Sequence, residues 1–170
     1  MSTYKEIKGQ LIRKVSSDPT DAQVGQIWYN TTIGALKGYK TIDAAWASGG
    51  NMGTARDGLA GAGLQTAGLA FGGQVAPPPA ALSAHTEEYN GSSWSEQNNL
   101  GTARYSVTGA GTQTAGLGFG GRPPSAAGLT NTEEYDGSSW TAGGALPVAK
   151  RDAEGAGTQT AGLCFGGSIN

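Results

Sequence analysis

Alternation of large and small side chains, punctuated by glycine, runs through this 170-residue chain. In Thr114-Ala115-Gly116-Leu117-Gly118-Phe119 the larger residues Ala115, Leu117 and Phe119 fall on one side, and Thr114, Gly116 and Gly118 on the other. A period of two predicts a β-strand with one bulky and one nearly bare face. The bare face suits a crowded place, such as an inner strand close to a neighbouring sheet, where glycine admits another backbone. Gly120-Gly121 ends the strand. The stretch 109–121 has near-copies at 61–73 and 155–167. Phe71, Phe119 and Phe165 are 48 and 46 residues apart, and Trp46, Trp94 and Trp140 keep the same spacing.

A second landmark, Thr132-Glu133-Glu134-Tyr135-Asp136-Gly137-Ser138-Ser139-Trp140, is matched by residues 86–94, with Asn90-Gly91 at the turn. Asn-Gly and Asp-Gly between short strand-like runs predict a two-residue type I′ hairpin, in which both central residues take positive φ. Beyond each tryptophan comes a basic residue, Arg56, Arg104 or Lys150, five positions before the glycine-rich segment. Each unit therefore reads strand, tight turn, tryptophan strand, basic residue, strand, turn, strand, diglycine. A period near fifty residues built from short strands is the length of one four-stranded propeller blade.

The diglycine after an apolar strand, the Glu-Tyr-Asp/Asn-Gly, the tryptophan and the segment Leu146-Pro147-Val148-Ala149-Lys150-Arg151 stand in the order of kelch repeats. The chain resembles that family over roughly residues 36–167. The resemblance implies an all-β fold of three kelch-like units of 46–48 residues, each a β-propeller-type blade, preceded by an N-terminal arm and a β-hairpin. It departs from the pattern in two places. Four residues separate Tyr89 from Trp94, fewer than kelch units usually have, and the first unit reads Tyr39-Lys40-Thr41-Ile42-Asp43-Ala44-Ala45-Trp46 in place of the Glu-Glu-Tyr turn. Three units also fall short of the roughly four blades that a closed propeller needs. Closure would then come from further sequence or another chain, unless the repeats build a different architecture.

Upstream of the repeats, residues 1–24 form an expected attachment arm and 25–45 a hairpin module merging into the first repeat, with 46–170 as the repeat array. Tyr4, Ile7, Leu11 and Val15 follow helical spacing, yet Gly9 interrupts them and no N-cap precedes them, so helix and extended arm both remain open. With Ile12 they are the candidate attachment residues, to be covered either by their own domain or by a larger assembly. Asp18-Pro19-Thr20-Asp21 predicts a turn. Residues 25–30 and 34–39 predict a hairpin around Thr31-Thr32-Ile33. The segment Val24-Gly25-Gln26-Ile27-Trp28-Tyr29-Asn30-Thr31-Thr32-Ile33-Gly34-Ala35-Leu36-Lys37 also resembles a short module near the start of tail-fibre and other virion proteins of tailed bacteriophages.

Composition narrows the functional classes. Glycine and proline make 37 of 170 residues, close to the range of disordered sequence, but the strict repeat argues against disorder. A net charge of −2 offers no basic patch for nucleic acid or an anionic membrane. No stretch approaches a membrane span and no signal-peptide pattern opens the chain, so synthesis in the host cytoplasm is expected. Cys164, on the small-residue face of its strand, reads as a packed thiol. Glu87-Glu88 and Glu133-Glu134 recur with the repeat and alternate faces, which favours pairing with Arg56, Arg104 or Lys150 over glycosidase chemistry. Some kelch-type propellers are copper oxidases, but the single histidine, His85, cannot supply that ligand set or a Ser-His-Asp triad. No catalytic residue, metal or cofactor is expected.

The loops after the diglycines, residues 74–85 and 122–131, differ in length by two and emerge at one position of the repeat. They are either stiff proline-rich connectors or a recognition surface, with Gln74, His85, Arg122 and Asn131 as candidate ligand-binding residues. The resemblances together imply a non-enzymatic virion protein, a phage tail-fibre or appendage component. It would attach to other virion proteins by its N-terminus, assemble as a homo-oligomer with a trimer favoured, and present its loops to a host-surface glycan. The alternative is an intracellular kelch-type scaffold that binds a protein partner.

Overall fold

The computed structural model describes residues 12–23, 25–39, 48–75, 81–123 and 127–169. These residues are all-β, arranged in several small sheets, with no helix among them. The chain divides into two compact units, residues 1–47 and 48–170.

In the first unit the expected hairpin forms from β2 (Ile27–Asn30) and β3 (Ala35–Gly38). β1 (Arg13–Val15) runs parallel to β2 and completes a three-stranded sheet in the order β1-β2-β3. The choice between helix and extended arm thus resolves as extended at Arg13–Val15. Asp18 fastens the connection between β1 and β2: one carboxylate oxygen accepts from Trp28 Nε1 at 3.0 Å and Asn30 Nδ2 at 2.9 Å, and the other pairs with Lys37.

In the second unit two four-stranded antiparallel meanders follow one another. The first sheet joins β5 (Ala60–Leu64), β6 (Ala67–Phe71), β9 (Thr86–Tyr89) and β10 (Trp94–Gln97). Between β6 and β9, β7 (Gln74–Val75) and β8 (Ala81–Leu82) pair with each other, and β4 (Arg56–Asp57) pairs with β7. The second sheet joins β11 (Thr108–Thr112), β12 (Ala115–Phe119), β13 (Thr132–Tyr135) and β14 (Trp140–Ala142). A third, two-stranded sheet pairs β15 (Arg151–Gly157) with β16 (Gly162–Ser168). Each four-stranded sheet therefore takes two strands from one sequence repeat and two from the next. Among the described residues the sheets form no closed ring.

Sheets stack by fitting the bulky face of one onto the bare face of the next. A Cβ added to Gly116 would lie 2.6 Å from Leu69 Cδ2, one on Gly118 would lie 2.8 Å from Phe71 Cε2, and one on Gly162 would lie 2.5 Å from Leu117 Cδ2. The bare face of β12 thus receives side chains, where another backbone was expected. Backbones do meet along the first strands of the sheets, where a Cβ on Gly109 would lie 2.6 Å from the Gly61 carbonyl and one on Gly155 2.6 Å from that of Gly109. The resulting core gathers Ala60, Leu69, Phe71, Leu100, Val107 and Tyr135, with a second cluster of Ala110, Leu117 and Phe119 that Cys164 packs against.

The hairpin turns depart from type I′. Gly91 and Gly137 carry positive φ but Asn90 and Asp136 do not, and the loops span four residues between Tyr89 and Trp94 and between Tyr135 and Trp140. The side chains decide this: Asn90 Oδ1 accepts from the N–H groups of Ser92 and Ser93, each at 2.9 Å, and Asp136 Oδ1 from those of Ser138 and Ser139 at 2.8 and 2.7 Å. An Asx turn supplies what the mirror-image turn would have supplied. These N–H groups also hold the Asp136 carboxyl below its ordinary range.

Candidate functional site: the diglycine end of the sheets

The diglycine end is organised by two buried ion pairs at equivalent repeat positions. Arg56 Nη2 donates to Glu87 Oε1 at 2.8 Å, and Arg104 Nη2 to Glu133 Oε1 at 2.9 Å. Both guanidinium side chains are fully buried. Their second nitrogens donate to backbone carbonyls, Arg56 Nη1 to Gly72 and His85, Arg104 Nη1 to Gly120 and Asn131. The carboxylates also cap the backbone, Glu87 Oε2 accepting from Gly53 N–H and Glu133 Oε2 from Gly101 N–H, both at 2.6 Å. Burial pulls the Arg104 guanidinium below its ordinary range, and the Glu133 carboxylate opposes the shift. In the third copy Lys150 Nζ donates to the Gly166 carbonyl at 3.0 Å. These glutamates thus pair with the basic residues named from sequence, but in the interior, where a broken pair costs far more than at the surface.

Among the four loop residues singled out from sequence, His85 and Asn131 are equivalents that act through their backbone. Their carbonyls accept from Gly72 N–H at 3.0 Å and Gly120 N–H at 2.9 Å, and from Arg56 and Arg104. His85 Nδ1 additionally lies 2.6 Å from Glu96 Oε1. Gln74 pairs with Asp57 across β4 and β7, and Arg122 bridges to Tyr105, its guanidinium 4.5 Å from the tyrosine ring centroid. Gln74 and Arg122 are likewise repeat equivalents, each paired with the residue that precedes Gly58 or Ser106. For the arm, Tyr4, Ile7 and Leu11 lie outside the described residues. Ile12 is 51% exposed and Val15 is half-buried on β1.

Beside Asp57 and Tyr105 lies a shallow groove of about 290 Å³, lined by Gly58, Leu59, Ser106, Val107, Asp152, Ala153 and Glu154. Gly58, Ser106 and Asp152 are equivalent repeat positions, and all three take positive φ, at 57°, 51° and 52°. Left-handed backbone at serine and aspartate costs energy and recurs at functional sites. Sequence reasoning missed this groove because its three defining positions hold three different residue types. Asp152 and Glu154 give it an acidic rim of hydrogen-bond acceptors, and Ser106 adds a hydroxyl. Such a surface suits hydroxyl-rich ligands. Among the described residues no group of three or more His, Cys, Asp or Glu is placed to hold a metal ion.

Sequence reasoning also missed the clamps between sheets. Gln113 Nε2 donates to the Gly68 and Tyr89 carbonyls of the preceding sheet at 3.1 and 2.8 Å, and Gln159 Nε2 to those of Gly116 and Tyr135 at 3.0 and 2.7 Å. The threefold recurrence of glutamine in the Gly-Leu/Thr-Gln-Thr turn was the available signal. Trp140 Nε1 donates to Thr86 Oγ1 at 2.9 Å while its ring lies 4.7 Å from that of Phe71. Tyr135 donates to Glu88 Oε1 at 3.0 Å, and burial, reinforced by that carboxylate, pushes its phenol up.

In comparisons with known proteins, no family model matches the chain and no curated protein matches it.

Proposed function

We propose that this chain is a non-enzymatic structural protein of a virion appendage, a tail-fibre-type component. Its first unit attaches it to the particle, and its stacked sheets present the diglycine end to a host-surface glycan. The observation that carries this reading is the division of labour among charged residues. Arg56, Glu87, Arg104 and Glu133 are consumed by repeat-equivalent buried pairs that brace the backbone, while the exposed Asp152 and Glu154 and the half-buried Ser106 gather on one groove. A braced stack of this kind supports a rigid projection, and a polar groove at one end supports recognition without chemistry. The finer architecture in this reading is a series of kelch-like propeller blades, three chains of which shield each other's open sheet edges.

The test combines binding and mass. The purified chain is titrated onto host-surface polysaccharide, alongside Asp152→Asn and Glu154→Gln variants, and its mass is followed by light scattering over a concentration series. A trimer whose saturable glycan binding is lost in the double variant is expected. A monomer without glycan binding that captures a cytoplasmic protein would replace the reading with an intracellular scaffold.

A further inference from the structure

Asn90-Gly91 lies exposed in the turn between β9 and β10, which the Asn90 N–H closes by donating to the Ser93 carbonyl at 3.2 Å. A backbone nitrogen that attacks the side-chain amide of the preceding asparagine closes a succinimide ring, and access and orientation govern such an intramolecular step. Gly91 has no Cβ to obstruct the approach of its nitrogen. Among the described residues its N–H donates to no acceptor, and Asn90 Nδ2, the leaving group, makes no hydrogen bond either.

The Ser92 and Ser93 N–H groups, each 2.9 Å from Asn90 Oδ1, face the atom on which negative charge builds when Cγ is attacked. That is the arrangement of an oxyanion hole. The next repeat shows independently that this turn stabilises charge there. Asp136, 46 residues further on, receives the same two backbone bonds, and the N–H groups of Ser139 and Ser138 hold its carboxyl below its ordinary range. Its carboxylate also accepts from the Ser138 and Ser139 hydroxyls at 3.3 and 3.2 Å. The second turn is thus already built around the product that the first would form. Asn30 supplies the contrast: its Oδ1 accepts from the Thr32 and Ile33 N–H groups at 3.0 and 3.3 Å, but the other requirements fail. It is buried, its Nδ2 donates to Asp18, and the next nitrogen belongs to β-branched Thr31 and donates to the Val15 carbonyl at 2.8 Å.

We propose that Asn90 is a self-modification site, which deamidates in the folded protein through the geometry of its own turn. The Gly91 nitrogen gives up its proton and bonds to Asn90 Cγ, while charge gathers on Oδ1 against the Ser92 and Ser93 N–H groups. The Cγ–Nδ2 bond then breaks, and the amide takes up the proton and leaves as ammonia. Water opens the succinimide. Opening at the Cγ–N bond leaves aspartate on an ordinary backbone; opening at the main-chain carbonyl leaves isoaspartate, whose extra backbone atom breaks the spacing to the two N–H donors. The turn therefore favours aspartate, and the first sheet gains the charge that the second carries at Asp136.

The test incubates the full chain and a synthetic peptide of residues 86–97 side by side over a pH series, followed by peptide mapping with mass spectrometry that separates aspartate from isoaspartate. Asn90 is expected to convert in the folded chain at least as fast as in the peptide, and faster as pH rises, because the attacking nitrogen must lose its proton. The aspartate share should exceed that in the peptide, and Asn30 should stay intact. Asn90→Asp should unfold at a denaturant midpoint no lower than the parent chain. Slower conversion in the chain than in the peptide, an isoaspartate share as large as the peptide's, equal conversion of Asn30, or a destabilised Asn90→Asp variant would overturn the proposal.

Discussion

Arg104 shows what a single side chain does in a fold with so little bulk. Its guanidinium ties Glu133 to the carbonyls of Gly120 and Asn131, so one residue joins the end of β12, the start of β13 and the segment before β11. Arg104→Met leaves the Glu133 carboxylate buried without its partner and should cost about 3–5 kcal/mol by urea unfolding. Adding Glu133→Leu should recover only part of that loss, because two carbonyls still lack their donor. Asp18 plays the corresponding role in the first unit under different solvent conditions. Hydrogen bonds from Lys37, Asn30 and Trp28 lower its pKa from 3.8 to about 2. A depressed carboxylate stabilises the fold above its unfolded pKa and loses that contribution as pH falls through the folded value. Trp28 fluorescence should therefore report loosening of the first unit as pH drops from about 4 towards 2. Asp18→Asn should remove that pH dependence.

At the scale of the strand, glycine does two different jobs, and substitution separates them. Gly109 faces the Gly61 carbonyl, which is backbone and cannot step aside, whereas Gly116 faces the terminal methyl of Leu69, which can rotate. Gly109→Ala should destabilise the stack by roughly 1–3 kcal/mol, the scale of core overpacking. Gly116→Ala should cost less, because lower unfolded-state entropy offsets part of the clash. Comparing the midpoints of denaturant unfolding for the two variants checks the ordering. The period-two pattern predicted a strand over 114–119, and β12 forms over Ala115–Phe119 with Gly116 and Gly118 facing Leu69 and Phe71 of the preceding sheet. The turn type was not, because the Asn90 and Asp136 side chains bond to serine N–H groups, an interaction that the Asn-Gly and Asp-Gly dipeptides do not announce.

At the scale of the molecule, repetition of a bulky face and a bare face makes sheet stacking self-propagating, each sheet offering the next what it received from the last. That logic underlies the proposed appendage architecture. The sequence by itself determined the all-β class, the repeat and its spacing, the two-faced strands and the partnership of Glu87 and Glu133 with basic residues, because each is a local or periodic property of the chain. Tertiary structure alone decided that those pairs are buried, that each four-stranded sheet draws on two successive repeats, and that Gly58, Ser106 and Asp152 converge on one groove. It alone decided that Thr86 Oγ1, 54 residues from Trp140, accepts the indole N–H of that residue. The physical reason is that burial and convergence depend on which sheet packs against which, and residues 46 or 48 positions apart become neighbours only when the sheets stack.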